Sequence, residues 1–170
     1  GTLDMPDKGS VHIKGKDVFS QSSKNLAAFR NNSLGFVFQF HNLLPEFSAL
    51  ENVMIPGLIL NTGEKKVKDR AIELLKMLGL EERIHHKPSE LSGGEQQRIA
   101  VARAMINSPD LILADEPSGN LDSKNALELH TLFFKLQKET GQTFIIVTHN
   151  EELSKMADRR VEMADGLIVH

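Results

Sequence analysis

Three short apolar runs, each followed directly by a polar residue, constrain the fold of this chain more than any other feature. The runs occupy residues 33–38, 111–114 and 143–148, and the residues that follow them are Gln39, Asp115 with Glu116, and His149. Short apolar runs of this kind are typical of strands buried on both faces of a parallel sheet. In open α/β sheets the ligand lies beyond the carboxyl ends of the strands. The sequence therefore predicts an α/β fold with a ligand site at one edge of a parallel sheet.

The two acids after the second run, Asp115 and Glu116, indicate metal and water chemistry. Because adjacent side chains on a strand point to opposite sides, the two carboxylates are expected to divide the work. One suits the coordination shell of a magnesium ion, and the other suits a water nucleophile. A lone acid, glutamine or histidine at a strand end is more often a solvated loop residue. The occurrence of three such strand ends in one chain favours a site.

Residues 91–98 read Leu-Ser-Gly-Gly-Glu-Gln-Gln-Arg and predict a helix start that can bind an anion. Ser92 and Glu95 have the spacing of a capping box, with which many ordinary helices begin. That interpretation leaves Gly93 and Gly94 unexplained, since glycine inside a helix costs about 1 kcal/mol relative to alanine. Exposed N–H groups at a helix N-terminus make an anion site, and phosphate is the usual occupant. We therefore expect a phosphate to approach this backbone closely.

Turn and capping residues outline the rest of the chain. They predict two short strands around Gly15, a helix opened by the capping box of Ser48 and Glu51 and disturbed by Pro56, an amphipathic helix over 67–78, a crossover helix over 123–139 and a hairpin over 161–169. The helices between the first two sheet strands form an insertion. The chain is thus expected to divide into a core start at 1–47, a helical part at 48–108 and the remaining core at 109–170.

In their order along the chain, these motifs resemble those of the ATP-binding subunit of an ABC transporter. The resemblance covers essentially the whole sequence and implies a P-loop NTPase-type parallel sheet core with an inserted α-helical subdomain. By this resemblance the motifs are the Q-loop glutamine Gln39, the signature motif at 91–95, Walker B at 111–115 with the catalytic carboxylate Glu116, the D-loop at 118–122, and the switch histidine His149.

The resemblance implies ATP and Mg²⁺ as ligands and a second copy of the chain as head-to-tail partner. Its implied nucleotide contacts are Ser92, Gly93, Gly94, Glu95 and Asp122, its metal contacts are Asp115 and Gln39, and its catalytic residues are Glu116, His149 and Gln39. It also implies integral membrane permease subunits, which would dock on the loop at 40–45. The subunit would then be peripheral, on the cytoplasmic side of the bacterial inner membrane.

The family's P-loop, Gly-x-x-x-x-Gly-Lys-Ser/Thr, does not occur in the 170 residues. The one Gly-Lys pair is Gly15-Lys16, and Ser10 and Asp17 stand where the motif needs glycine and a hydroxyl residue. We therefore expect a chain truncated at the N-terminus, artificially or by proteolysis, that is inactive alone. Without the P-loop strand, the sheet edge beside the strand ending at His149 should lack a neighbour. Unpaired edges invite pairing with other chains, so non-native self-association is expected.

Within the family, the segments at 38–45, 49–53 and 114–122 resemble the bacterial lipoprotein-releasing ATPases, and macrolide-exporter ATPases and a cell-division relative share much of them. Two alternatives to a transporter motor stay open: a soluble ABC-type ATPase of translation or repair, and a binding module without enzymatic activity. A net charge of −3 with interspersed signs disfavours a nucleic-acid partner. The longest apolar stretch, 53–60, is too short to span a bilayer.

Overall fold

The structure, a computed structural model, describes residues 2–169 and has an α/β architecture. In chain order its elements are β1 (His12–Ile13), β2 (Lys16–Asp17), α1 (Ser23–Ser33), β3 (Leu34–Phe38), α2 (Ala49–Ile59), α3 (Glu64–Met77), α4 (Gly93–Met105), β4 (Leu111–Asp115), α5 (Ser123–Thr140), β5 (Phe144–Val147), α6 (Glu151–Met156), β6 (Met163–Ala164) and β7 (Leu167–Ile168). Short 3₁₀ turns at Glu81–Arg83 and Pro88–Glu90 lead into α4. Gly1 and His170, the outer ends of the predicted segments 1–47 and 109–170, lie outside the described residues.

The three predicted sheet strands pair in parallel in the order β3-β4-β5. Phe38 is level with Asp115, and Asp115 is level with Val147. The three strands therefore end at one edge of the sheet, as the sequence predicts. β3 begins one residue later than expected, because Ser33 is still the last residue of α1.

The helices between β3 and β4 pack on each other and on the sheet. The capping box of Ser48 and Glu51 opens α2, which continues through Pro56 to Ile59. The buried residues of α3 recur on one face, and Gly79 follows the helix with φ +70°. Their side chains and those of the sheet form one continuous hydrophobic core, so the division into segments 1–47, 48–108 and 109–170 stays a prediction.

Gly35 allows α4 to pack directly on β3. A Cβ atom at this position would lie 2.5 Å from the backbone oxygen of Ala104 in α4. No Cβ tolerates that distance to a backbone atom, so glycine is required here. The contact fixes the helix that follows the glycine pair against the sheet whose edge carries Gln39.

β5 forms one edge of the sheet in the part of the chain that the structure describes. Its two outward residues, Ile145 and Val147, are 52% and 61% exposed. An apolar strand in the interior of an α/β sheet is normally covered on both faces. The face of β5 that carries Ile145 and Val147 is thus uncovered, and its lack of a second neighbour among the described residues agrees with the unpaired edge expected beside the strand that leads to His149.

Candidate functional site

A direct contact joins Glu116 and His149 at the carboxyl edge of the sheet. Glu116 follows the last residue of β4 with φ +43°, a left-handed conformation uncommon for a residue other than glycine. The backbone N–H of His149 donates to Glu116 Oε1 over 2.8 Å, and His149 Nδ1 lies 2.7 Å from the same oxygen. Because a carboxylate only accepts, Nδ1 carries the proton in this contact. Thr148 adds a hydrogen bond from Oγ1 to Glu116 Oε2.

The separation of Asp115 from Glu116 has a different cause from the one expected. Strand alternation does not apply, because β4 ends at Asp115 and the chain turns at Glu116. Asp115 is exposed and makes no side-chain hydrogen bond or ion pair with any residue from 2 to 169. Among these residues no cluster of three or more His, Cys, Asp or Glu side chains could hold a metal. A single free carboxylate nevertheless suits Mg²⁺, which usually keeps several waters and takes its other ligands from substrate phosphates.

Gln39 lies beside the loop that follows Glu116. Its Nε2 donates to Asn120 Oδ1 over 3.1 Å, and Asn120 Nδ2 donates to Gln39 O over 3.2 Å. A Cβ atom on Gly119 would lie 2.8 Å from Gln39 Nε2. The N–H of Gly119 in turn donates to the backbone oxygen of Glu116. The structure therefore brings Gln39, Glu116 and His149 to the same edge of the sheet.

Both hydrogen bonds of the predicted capping box of Ser92 and Glu95 are formed at the start of α4. Ser92 Oγ accepts from the N–H of Glu95, and Glu95 Oε2 accepts from both the N–H and the Oγ of Ser92. The other carboxylate oxygen, Oε1, accepts from Arg83 Nε over 2.8 Å. The backbone hydrogen bond from Ser92 is the main cause that lowers the pKa of Glu95 to about 2, and Arg83 adds to it. Both oxygens of Glu95 are thus already bonded within the chain, and its predicted nucleotide contact stays a prediction.

Packing within the chain accounts for one of the two glycines at this corner. A Cβ atom on Gly94 would lie 2.6 Å from Asn125 Oδ1 at the start of α5. At Gly93 the nearest atom would be Leu121 Cδ2 at 3.6 Å, which is an ordinary contact. Gly93 and Ser92 are exposed, whereas Gly94 is buried. The close approach that the sequence predicts at Gly94 is therefore made by the chain's own Asn125.

Asp122 is the N-cap of α5. It accepts hydrogen bonds from the backbone N–H and the side-chain Nδ2 of Asn125, and the backbone bond is the main cause that lowers the pKa of Asp122. Its predicted nucleotide contact is also untested. Pro117 and the D-loop at 118–122 thus run from Glu116 past Gln39 to the corner formed by Gly93 and Gly94. This loop connects the two halves of the predicted site, and among the described residues no side-chain hydrogen bond joins Gln39, Glu116 or His149 directly to Ser92, Gly93 or Gly94.

The loop after Gln39 is anchored by a half-buried arginine. Arg103 donates through Nη1 to the oxygen of Asn42 and through Nη2 to the oxygen of His41. Phe40 is 68% exposed, whereas Leu43 packs against the core. The loop therefore presents one aromatic side chain to solvent from a fixed backbone.

Three residues of this region were missed by the sequence reasoning. They are Asn120, Thr148 and Gln97. Gln97 is fully buried, and it lies one helical turn before the buried Ala100 and Val101. A glutamine within the buried stripe of a helix is the sequence pattern that could have identified it.

Comparison with known proteins agrees with these observations and defines the class. The chain belongs to the ABC transporter family, whose profile matches residues 2–119. It is 60% identical over 169 residues to the lipoprotein-releasing system ATP-binding protein LolD of Bacteroides fragilis (strain YCH46), covering 99% of this chain and 78% of that protein. It is 58% identical over 168 residues to LolD of Porphyromonas gingivalis, covering 99% and 77%.

Solved structures confirm the fold. The dimeric bacterial ABC transporter cassette MJ0796 matches with a TM-score of 0.84 and 40% identity, over 99% of this chain and 74% of that one. The same cassette in a post-hydrolysis state bound to ADP and Pi matches with a TM-score of 0.85. The predicted ABC-type ATPase class and α/β fold are therefore confirmed. Between residues 2 and 169, no helix is long and apolar enough to cross a membrane.

Proposed function

We propose that this chain forms the ATP-hydrolysing motor domain of an ABC transporter that releases lipoproteins. The observation that carries the hydrolytic part is the contact of Glu116 with His149, just beyond the paired strand ends Asp115 and Val147 and beside the loop that contacts Gln39. A carboxylate, a histidine and an amide are the groups that orient water and contact a terminal phosphate. The names of the relatives at 60% and 58% identity support the transported class, lipoproteins.

The residues present fit Mg²⁺ and the terminal phosphate of ATP. When bound, Mg²⁺-ATP supplies the phosphoryl group that is transferred to water. Asp115 would hold the metal through water, with Gln39 as a further oxygen ligand. Glu116 would orient and polarise the attacking water, and His149 would hold Glu116 in place and contact the phosphate. The glycine and lysine cradle is not in these 170 residues, so we expect this chain alone to bind ATP weakly and not to hydrolyse it.

A head-to-tail pair would complete the site. In such a pair Ser92, Gly93 and Gly94 would contact the terminal phosphate held by the partner, and the exposure of Ser92 and Gly93 suits that role. The dimeric state of the matched cassette supports the pairing. Exposed Phe40, on the loop anchored by Arg103, suits docking of a permease at the cytoplasmic face of the bacterial inner membrane. The subunit would then be peripheral.

The hydrolytic part is tested by joining the P-loop segment of the Bacteroides fragilis LolD in front of this chain. The joined protein should hydrolyse ATP with Mg²⁺, and Glu116→Gln should reduce kcat by about 10²-fold or more. Glu139→Gln is the matched control, because Glu139 is an exposed acid on α5 that pairs with Lys135 over 3.9 Å. Equal losses in the two variants, or full activity in Glu116→Gln, would refute the assignment of Glu116.

The transport part needs a separate test in cells. Bacteroides fragilis depleted of its own LolD should recover growth and outer-membrane lipoprotein levels when the joined protein is supplied. Glu116→Gln should not restore either. Hydrolysis in vitro without recovery in the depleted cells would refute the proposed transported class and leave the ATPase assignment standing.

A further inference from the structure

Gln97 is a fully buried glutamine on α4 that contacts the end of β3 and the loop after Glu116 at once. Its exposure is 0%. Its Nε2 donates to the backbone oxygen of Phe38 over 3.1 Å and to that of Pro117 over 2.7 Å. Phe38 immediately precedes Gln39, and Pro117 immediately follows Glu116. One amide group thus joins the helix of the signature motif to the backbones that carry both residues.

We propose that Gln97 is a positioning residue that fixes Gln39 and Glu116 relative to the helix beginning at Gly93. The inference rests on the proposed function of those residues and adds a residue that touches neither nucleotide nor metal. A displacement of about 1 Å in a catalytic group can cost about 10²-fold in rate. The two hydrogen bonds from Gln97 to Phe38 O and Pro117 O, here called the clamp, hold the backbone beside each of the two groups and therefore matter for the reaction.

The chemistry of the contact requires a glutamine. Both acceptors are carbonyl oxygens, so a glutamate in the same place could not donate to either of them. An asparagine is one methylene shorter. Gln97 Oε1 has no hydrogen-bond partner within the described residues and is buried. Burying an unpaired polar atom costs free energy, which a methionine of similar size would avoid. Space filling alone therefore does not explain the amide, whereas the two carbonyl contacts do.

Gln96 supplies a matched control on the same helix. Its Nε2 also donates to two backbone oxygens, those of Pro88 and Leu91, over 3.0 and 3.1 Å. Both of these acceptors lie on the segment that leads directly into α4. Gln96→Met and Gln97→Met therefore remove the same kind and number of hydrogen bonds. They differ in whether the lost bonds joined separate parts of the site.

Amide hydrogen exchange of the 170-residue chain tests the clamp without ATP. Gln97→Met should speed exchange by about tenfold or more in two separate stretches, residues 38–41 and 118–121. Gln96→Met should leave both stretches within about twofold of the parent and change only residues near 88–93. Unchanged exchange in both stretches of Gln97→Met, or the same increase in both variants, would overturn the proposal.

Two further measurements cover the other outcomes. If Gln97→Met does not fold, the side-chain NH₂ of Gln97 can be followed by NMR in the parent chain, where its exchange should be at least about tenfold slower than that of an exposed glutamine. Exchange at the exposed rate would overturn the proposal. In the protein joined to a P-loop, Gln97→Met should lower kcat about tenfold or more with KM for ATP within about threefold, and Glu139→Gln, the exposed control on α5, should change neither. A rise in KM alone would contradict positioning. If the joined parent is inactive, the proposed function fails. The exchange experiment still shows whether Gln97 holds the two backbone stretches in place.

Discussion

The carboxylate of Glu95 gives the most quantitative prediction for the start of α4. Its ordinary pKa is 4.5, and its hydrogen bonds with Ser92 and Arg83 lower the pKa to about 2. A group whose pKa is lower in the folded state stabilises the fold above its unfolded pKa. That contribution is lost as the pH falls from about 4.5 towards about 2. Glu95 should therefore stabilise the chain fully at pH 7.

The size of this contribution follows from the two pKa values. At about 1.36 kcal/mol per pH unit, the interval from 4.5 to about 2 gives an upper limit of about 3.4 kcal/mol. The side chains of Glu95 and Arg83 are 19% and 42% exposed, so solvent screens part of it. We expect Glu95→Gln, which can retain the capping box, to lower the free energy of unfolding at pH 7 by about 1–2 kcal/mol. For a chain of this size that is a fall in Tm of about 3–6 °C.

Urea unfolding of the parent and of Glu95→Gln across pH 7 to pH 3 measures this effect. The difference between the two proteins should be constant down to about pH 5 and should shrink below it. The control is Glu51→Gln. Glu51 forms the equivalent capping box with Ser48 at the start of α2, but among residues 2–169 it makes no salt bridge to an arginine. Glu51→Gln should cost less. A double-mutant cycle of Glu95→Gln with Arg83→Met should give a coupling of about 0.5–1 kcal/mol.

Two results would refute this reasoning about Glu95. One is a stability difference that stays constant down to pH 3. The other is a carboxyl ¹³C resonance of Glu95 that titrates near 4.5. Either result would mean that the hydrogen bonds from Ser92 and Arg83 to the Glu95 carboxylate do not persist when the protein is in solution. Glu95 would then be free for the nucleotide contact that the resemblance implies.

Three more predictions concern the same chain. The purified 170 residues should show no ATP turnover, because the phosphate cradle is missing from them; Mg²⁺-dependent ATP hydrolysis would contradict this. The exposed edge of β5 should cause self-association that Val147→Lys reduces, since a charge blunts an apolar edge; a monomer in sedimentation of the parent at high concentration would count against it. Gly35→Ala should lower the free energy of unfolding by about 1–3 kcal/mol, because its Cβ would lie 2.5 Å from Ala104 O. Gly93→Ala, whose nearest atom would be at 3.6 Å, should change the free energy of unfolding little. Equal losses in urea titrations would disprove the packing argument.

The sheet and its reactive edge could be predicted because both depend on local sequence patterns. Runs of apolar residues, capping boxes and glycines after helices act within a few positions along the chain. The pattern at Ser48 and Glu51 recurs in the structure with both hydrogen bonds formed. The hairpin predicted over 161–169 also forms, and Asp165 and Gly166, with φ angles of +49° and +78°, make its turn. Such features do not depend on distant parts of the chain.

The contacts that cross the site could not be predicted in this way. Gln39 and Asn120 are 81 positions apart, and Gln97 reaches residues 59 positions before it and 20 positions after it. The close approach at Gly94 was expected from the sequence, but its partner, Asn125 of the same chain, depends on how α4 and α5 pack. Likewise, the turn at Glu116 depends on its contacts with Val147 and His149. Tertiary packing decided each of these points.

The D-loop connects the two halves of the site, and hydrogen bonds hold three of its five residues, Ser118, Asn120 and Asp122. Directly before the loop, Pro117 O accepts a hydrogen bond from Gln97, and within it Ser118 Oγ lies 2.9 Å from Nε2 of His130, a histidine that is 2% exposed. Asn120 is bonded to Gln39, and Asp122 caps α5. Burial lowers the pKa of His130, which favours the neutral ring beside Ser118. A movement of Glu116 relative to Gly93 must therefore break several of these hydrogen bonds or carry α4 and α5 along with it. The second outcome keeps the bonds intact, so the geometry favours motion of the two helices with the loop as one unit.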